Sequence, residues 1–222
     1  MINQTVFTAI DFESAGTSAG DTDTPVQIGT ATWSLNDPEP ESNLLSDTWM
    51  SYIHTDRKIT WAAQQVHGIT KEQLTDAPKL MLLWPDIKRR LHGNVVVAHG
   101  HGTEKRFLRA FPAHGFGPWV DTLHLARAAY PNLNDYSLGS ICSTLELEEK
   151  ISTISAAASP NDQLTWHDAL YDSIASIVLL RHIIHTFSLQ DSAITLLTRP
   201  NTTAWRKNRD SSSLSDLKDA EN

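Results

Sequence analysis

The chain has 222 residues, of which 40% are hydrophobic and 20% are charged, and its formal net charge is −8 at pH 7. This composition supports one packed globular domain and argues against a protein that coats nucleic acid through bulk positive charge. The single cysteine, Cys142, excludes an internal disulfide and a multi-cysteine zinc site. Because the sequence has no membrane-length apolar run and no signal-peptide pattern, we expect a cytoplasmic protein without a membrane partner.

Three segments near the amino terminus are rich in β-branched and aromatic residues, which predicts three consecutive strands. A small, polar segment up to Pro25 separates the first two strands, and an acidic, Pro-containing loop at 37–41 precedes the third. Short connections of this kind favour an antiparallel meander over a strand–helix–strand crossover. The predicted strands are residues 5–13, 26–35 and 49–54.

Helical patterns predominate after residue 60 and are interrupted by two short strands. Residues 94–98 form a brief, mostly apolar strand of the kind that is covered on both faces of a mixed or parallel sheet, and residues 119–121 predict a last strand. The predicted helices are residues 60–66, 77–91, 102–114, 122–129, 137–145 and 168–187.

The carboxyl-terminal segment differs in composition from the rest of the chain. From residue 199 onward the sequence is mostly polar, and it contains three consecutive serines followed by a charged end. Such segments bury too little apolar surface to fold alone. We therefore expect one α/β domain over residues 1–198 and a disordered tail over residues 199–222.

Two carboxylates stand at the end of the first predicted strand. Asp11 and Glu13 are two residues apart, so their side chains point to the same side of the strand. Adjacent carboxylates repel each other strongly unless a cation lies between them. In the ordinary structural explanation, one of the two carboxylates caps a turn and the other is exposed to solvent. The position of Asp11 and Glu13 within an apolar strand favours a cation site instead.

Two further acidic residues begin predicted helices. Glu104 lies in the first turn after the strand at 94–98, where the helix dipole favours a carboxylate. Asp172 follows His167 by five residues, so the two would not share a helix face if both were fully helical. We therefore expect His167 in or just before the first turn, reaching the same site from a mobile loop.

These segments together resemble the DEDDh branch of the DnaQ-like 3′–5′ exonucleases. The first motif of that family is similar to the Asp-Phe-Glu-Ser-Ala-Gly run at 11–16, and the third is similar to 167–172, with His, Ala-Leu and Asp in place. The second motif is similar to 97–108. Two secondary segments, 66–70 and 120–123, also agree in order and spacing.

The resemblance implies an α/β fold of the ribonuclease H-like type, a five-stranded mixed sheet with helices on both faces. It also implies that two Mg²⁺ or Mn²⁺ ions are bound and that His167 is the general base that activates water. The product would be a nucleoside 5′-monophosphate. The implied metal ligands, which are also catalytic residues, are Asp11, Glu13, Glu104 and Asp172.

Family analogy further implies a binding site for the terminal nucleotide of a substrate. Ser14 and Ala15 would contact it from one side, and the loop of His67, Gly68 and Ile69 from the other. The implied partners are the 3′ ends of single-stranded DNA or RNA, and a DNA polymerase is a second possible partner. A free-standing nuclease is slightly favoured over a polymerase subunit.

The second motif departs from the family pattern at three positions. Glu104 replaces the family's Asp and carries its carboxylate farther out by one methylene, while Gly100 replaces Asn and Thr103 replaces Phe. These changes keep open an alternative, a degenerate exonuclease fold that binds nucleic acid or protein without cutting. Retention of His167 favours the enzyme, because a binding protein needs no general base. An RNA-trimming nuclease also remains open.

Overall fold

The structure is a computed structural model that describes residues 1–17, 22–35, 44–201 and 203–210. The acidic loop predicted at 37–41 lies outside the described residues. No helix in the described part of the chain combines the length and the hydropathy of a bilayer-spanning segment.

A five-stranded mixed sheet forms the centre of the fold, with strand order β3-β2-β1-β4-β5. β1 pairs antiparallel with β2, and β2 pairs antiparallel with β3, which confirms the predicted meander. β4 runs parallel to β1 and to β5, and these two pairs make the sheet mixed. The strands are β1 (Val6–Ser14), β2 (Pro25–Ser34), β3 (Asp47–Tyr52), β4 (Val95–Ala98) and β5 (Trp119–Asp121).

Helices cover both faces of this sheet, which confirms the predicted architecture. The longest, α8, packs across β1 and β2 on one face, while α3 and α4 cover the other. The α-helices are α1 (Trp61–His67), α2 (Lys71–Leu74), α3 (Trp84–Leu91), α4 (Gly102–Leu108), α5 (Thr122–Ala129), α6 (Leu138–Thr144), α7 (Glu148–Ala158), α8 (Ala169–Thr186) and α9 (Thr195–Thr198), and the chain also has 3₁₀ helices at Ile2–Gln4 and Leu80–Leu83.

Two predicted helices are shorter in the structure, and proline explains both. α3 covers only the second half of the helix predicted at 77–91, because Pro85 is tolerated only in a first turn. α4 ends well before residue 114, since Pro112 disfavours helical backbone in the residue before it. The sequence analysis also missed α7, whose amphipathic signal is weak because its buried positions are two isoleucines and a serine.

Part of the predicted tail belongs to the folded domain. Residues 203–210 are helical, and Trp205 is fully buried. Its ring meets the Phe187 ring edge-on at 5.3 Å between centroids, and its indole nitrogen donates a hydrogen bond to the Leu196 carbonyl at 3.3 Å. The guanidinium of Arg209 donates to the Ala128 carbonyl. The boundary expected at residue 198 therefore differs from the structure, while residues 202 and 211–222 lie outside the described residues.

The amino-terminal end of α8 is pressed closely against β2. Gly29 makes this possible, because a Cβ atom built there would overlap the backbone of Ala169 and Leu170. The Ser173 hydroxyl donates a hydrogen bond to the Gly29 carbonyl at 3.0 Å. The first turn of α8, which carries Asp172, is thereby fixed beside the sheet.

We predict that Gly29→Ala destabilises the protein by about 1–3 kcal/mol, because the added methyl forces α8 away from the sheet. Chemical denaturation measures the change. Gly102→Ala is the matched control, since a Cβ there has no neighbour within 4 Å. Equal stability of the two variants would contradict the close packing of α8.

Candidate active site

The alternation of side chains along β1 directs two carboxylates toward α8. Ile10 and Phe12 belong to the core under α3 and α4, whereas Phe7 belongs to the core under α8. Asp11 and Glu13 have the same parity as Phe7, so they lie on the α8 side at the carboxyl end of the strand.

α8 and α4 bring the other two carboxylates to the same place. Asp172 lies in the first turn of α8 and Glu104 in the first turn of α4. Glu104 interacts electrostatically with Asp11, and Asp172 interacts with both Asp11 and Glu13. The four acidic residues that the sequence analysis singled out therefore converge at one point.

Burial and nearby negative charges raise the pKa of every carboxyl group in this cluster. Burial is the largest cause for Glu13, whose pKa rises to about 9, and the charges of Asp11 and Asp172 raise it further. Burial likewise raises the pKa of Glu104 to about 7. The pKa values of Asp11 and Asp172 are raised by burial first, and then by Glu104 and by Asp11, respectively. The ionised cluster is therefore unstable without compensating positive charge.

Two oxygens of the cluster are buried without a hydrogen-bond partner, Oε2 of Glu104 and Oδ1 of Asp172. Buried polar atoms are normally paired, so these two need either a proton or a cation. Ligand atoms of Glu13, His167 and Asp172 lie within 4.8 Å of one another, the spacing of a possible metal site. Carboxylate oxygens are the donors that hard divalent cations prefer. The residues present thus fit a divalent cation.

His167 lies just before α8, as predicted, in an exposed position with left-handed backbone (φ 67°). The next residue, Asp168, caps the helix by accepting hydrogen bonds from the amides of Leu170 at 2.9 Å and Tyr171 at 3.4 Å. This cap fixes where the helix begins and therefore where the imidazole emerges.

Gln27 on β2 anchors this turn, and the sequence analysis missed it. Its side-chain nitrogen donates to Oδ2 of Asp168 at 2.9 Å, while its side-chain oxygen accepts from the Ala169 amide at 2.9 Å. Gln27 is itself buried. An Asp immediately before an apolar helix predicts a helix cap at Asp168. No local pattern predicts that Gln27, 141 residues away in the sequence, binds this cap.

The structure divides the residues expected to bind a nucleotide into two groups. Ala15 is 0% exposed and Ile69 is 3% exposed, and both pack in a small core. These two side chains are buried, which disagrees with the expected contact with substrate. They hold the loop after Glu13 in place instead. Ser14, His67 and Gly68 remain partly or fully accessible.

His67 links this loop to the segment that follows α1. Its Nε2 donates to the Ser14 carbonyl at 3.0 Å, and its Nδ1 accepts from the Ile69 amide at 3.0 Å. Burial lowers the pKa of His67, which keeps the ring neutral and suited to this donor–acceptor pair. Gly68 takes the left-handed conformation that ends α1.

Two of the departures from the family's second motif, Gly100 and Glu104, fit their local surroundings. Gly100 has left-handed backbone (φ 76°), and its amide donates to Oδ1 of Asp121 at 3.0 Å. A glycine takes up this conformation without strain. Glu104 is buried at the start of α4, so its longer side chain stays within the cluster.

Comparisons with known proteins show which family this chain belongs to and which proteins it is similar to. The family model of the RNase T exonucleases matches residues 8–180. A PolC-type DNA polymerase III from Thermotoga maritima is 27% identical over 146 residues, which cover 64% of this chain but only 10% of the polymerase. The chain thus spans about a tenth of the length of the first curated relatives.

Solved structures share the fold. Exonuclease X, in complex with 5′-overhanging duplex DNA, matches with a TM-score of 0.60 and 25% identity, covering 81% of this chain and 92% of that one. The nuclease domain of 3′hExo, a DEDDh family member bound to rAMP, matches with a TM-score of 0.56 and 15% identity, covering 84% of this chain and 92% of that one.

We predict that the metal-free protein loses thermal stability as pH rises from 5 to 9. The folded state keeps protons on carboxyl groups whose pKa values are raised to about 7 (Glu104) and about 9 (Glu13), whereas the unfolded chain has lost them above about pH 5. Their stabilisation is therefore complete at low pH and disappears as pH rises through that window. Thermal unfolding in EDTA measures this, and Mn²⁺ should raise the melting temperature more at pH 8 than at pH 5.5.

Asp11→Asn serves as the test variant and Asp76→Asn, at an exposed position, as the control. The Asp11 variant should show a flatter pH profile and a smaller Mn²⁺ effect, because one of the repelling charges is gone. A melting temperature at pH 8 that is insensitive to Mn²⁺ would contradict the fit of a cation to this cluster.

Proposed function

We propose, from the premise that the chain belongs to the RNase T exonuclease family, that it is a metal-dependent 3′–5′ exonuclease. It hydrolyses the terminal phosphodiester of DNA or RNA and releases nucleoside 5′-monophosphates. The observation that supports this most strongly is the grouping of acidic side chains, with Glu104 buried and Asp11, Glu13 and Asp172 half-buried, beside one exposed histidine.

Asp11, Glu13 and Asp172 would hold two Mg²⁺ or Mn²⁺ ions, and Glu104 would complete the set. When bound, such ions stabilise the charge that develops on the attacking and leaving oxygens. Asp11 is the residue that both Glu104 and Asp172 approach, which suits a ligand shared between two ions. The unpaired oxygens of Glu104 and Asp172 support their inclusion.

His167 would act as the general base. Its imidazole is exposed, so a water molecule can reach it, and it lies next to Glu13 and Asp172, where the reacting phosphate would be bound. Imidazole is the side chain suited to accept a proton at neutral pH. Asp168 and Gln27 would keep the ring in position through the helix cap.

Ser14, His67 and Gly68 would contact the terminal nucleotide, and the 3′ end of single-stranded DNA or RNA would be the substrate. We expect a free-standing cytoplasmic nuclease. The similarity to PolC-type polymerases supports a second arrangement, in which the domain works beside a DNA polymerase.

Digestion of 5′-labelled single-stranded DNA, duplex DNA and RNA tests the activity. With Mg²⁺ or Mn²⁺ we expect stepwise shortening from the 3′ end, and none with a chelator. Asp11→Asn should lower the rate about a thousandfold, because a lost ligand removes several kcal/mol of charge stabilisation. His167→Ala should lower it by about 10²–10⁴.

Asp76→Asn is again the control and should keep full activity. If the wild-type chain binds the oligonucleotides but releases no nucleotide with either metal, the enzyme is excluded and the binding module is the better description.

Glu104 gives a separate prediction. Glu104→Asp restores the side chain of the family pattern and should preserve or raise the rate, whereas Glu104→Gln should lower it by about tenfold or more because the ligand charge is lost. Initial rates across a Mn²⁺ titration distinguish weaker metal binding from slower chemistry. Equal rates for the Gln variant and wild type would remove Glu104 from the metal site.

A further inference from the structure

The most exposed aromatic side chain among the described residues begins a helix that is hydrogen-bonded to the chain segment just after Glu13. Trp61, the first residue of α1, is 76% exposed, although tryptophan normally buries most of its surface. None of the seven residues of α1 is buried, so the helix contributes nothing to the core. A short helix of this kind is not stable by itself, and something outside its own side-chain packing must hold it.

Contacts with the loop after Glu13 hold α1 at both ends. At its start, the Thr60 amide donates to the Ala15 carbonyl at 2.8 Å, and at its end His67 donates to the Ser14 carbonyl. A Cβ atom at Gly16 would overlap the Thr60 hydroxyl, which shows how closely the two segments approach. The position of Trp61 is therefore fixed relative to the carboxylate cluster.

Two basic residues shortly before Trp61 in the sequence are opposite in charge to the cluster. Arg57 and Lys58 are exposed and precede the helix by only a few residues, and the neighbouring Asp56 contacts His54 at 3.3 Å. The Arg57 guanidinium donates to the Thr22 hydroxyl at 3.4 Å, on the chain segment that leads into β2. Exposed basic residues together with an accessible aromatic ring are the features by which proteins bind single-stranded nucleic acid.

We propose that Trp61 is a stacking platform for one base of a single strand whose 3′ end occupies the carboxylate cluster. This inference rests on the proposed function and adds a residue that would bind the single strand outside the carboxylate cluster. In a duplex the base faces are already stacked on their neighbours, whereas an unpaired base offers a free face to the indole ring. Arg57 and Lys58 would face the phosphates of the same strand.

Two other exposed apolar side chains lack this connection to the site. Met81 and Leu82 are 58% and 71% exposed, but they lie on the 3₁₀ helix that leads into α3. Leu82 therefore provides a matched control for the loss of an exposed apolar side chain.

Binding of a 5′-fluorescein-labelled single-stranded decanucleotide, followed by anisotropy in Mn²⁺, tests the proposal. The measurements use the His167→Ala background, which keeps the acidic residues but should not cut. Trp61→Ala should raise Kd by about 5- to 150-fold, the equivalent of the stacking contribution of one base. Trp61→Phe should stay within about threefold of the parent, and Leu82→Ala should not differ from it.

Decanucleotides with one abasic position at a time locate the stacked base. At one position near the 3′ end, loss of the base should weaken binding to the Trp61 protein as much as Trp61→Ala does. The same abasic substrate should bind the Trp61→Ala protein without further loss, since the two changes remove one contact. If Trp61 has only a structural role, each abasic position should weaken binding by the same factor in the Trp61 and Trp61→Ala proteins, which would overturn the proposal.

The p-nitrophenyl ester of thymidine 5′-monophosphate separates this inference from the proposed function. It has no upstream base, so Trp61→Ala in the otherwise wild-type chain should hydrolyse it at the wild-type rate. No hydrolysis by wild type contradicts the proposed function, while the anisotropy result still decides the role of Trp61. An unchanged Kd for Trp61→Ala, or no binding of the single strand by the Trp61 protein, overturns the stacking platform.

Discussion

Repulsion between neighbouring carboxylates that are buried or half-buried is the constraint on which the rest of this structure depends. Asp11, Glu13, Glu104 and Asp172 come from two strand-end positions and two helix starts, and burial makes each charge costly. A fold gains nothing in stability from such an arrangement. Positive charge brought in from solution would remove the cost, so the cluster is suited to bind cations, and cations in turn attract phosphate. The same reasoning reconciles a net charge of −8 with the proposed nucleic-acid substrate.

The scaffold stabilises this unfavourable cluster through contacts that lie outside it. Gly29 lets α8 approach the sheet, Ser173 bonds to the Gly29 carbonyl, and Gln27 bonds to both Asp168 and the Ala169 amide. The hydrogen bonds that hold the start of α8, and the histidine just before it, therefore come from β2. None of these bonds uses the unpaired oxygens of Glu104 and Asp172, which stay available for a ligand.

The sequence predicts most of this fold because its strongest signals are local. Alternation along β1 places Asp11 and Glu13 on one side. The five strands and most helices follow from hydrophobic periodicity and from the Gly, Pro and polar residues that end each element. The remainder depends on contacts distant in sequence. Gln27 has no local signal for its partner. Ala15 and Ile69 are buried in a small core that includes Leu74 of α2 and Val26 of β2, and the polar residues around Trp205 hide the signal of its one buried ring. The roles of individual site residues rest on the family resemblance and on the proximity of the acidic side chains, and activity measurements on variants test these roles.

Anomalous diffraction from crystals soaked in Mn²⁺ would show whether this cluster binds cations, because it locates a cation without assuming any activity. We expect anomalous density among the oxygens of Asp11, Glu13 and Asp172, with Glu104 directed toward it, and no density after soaking in a chelator. Carboxylates that stay together while the space between them contains no manganese would contradict this expectation.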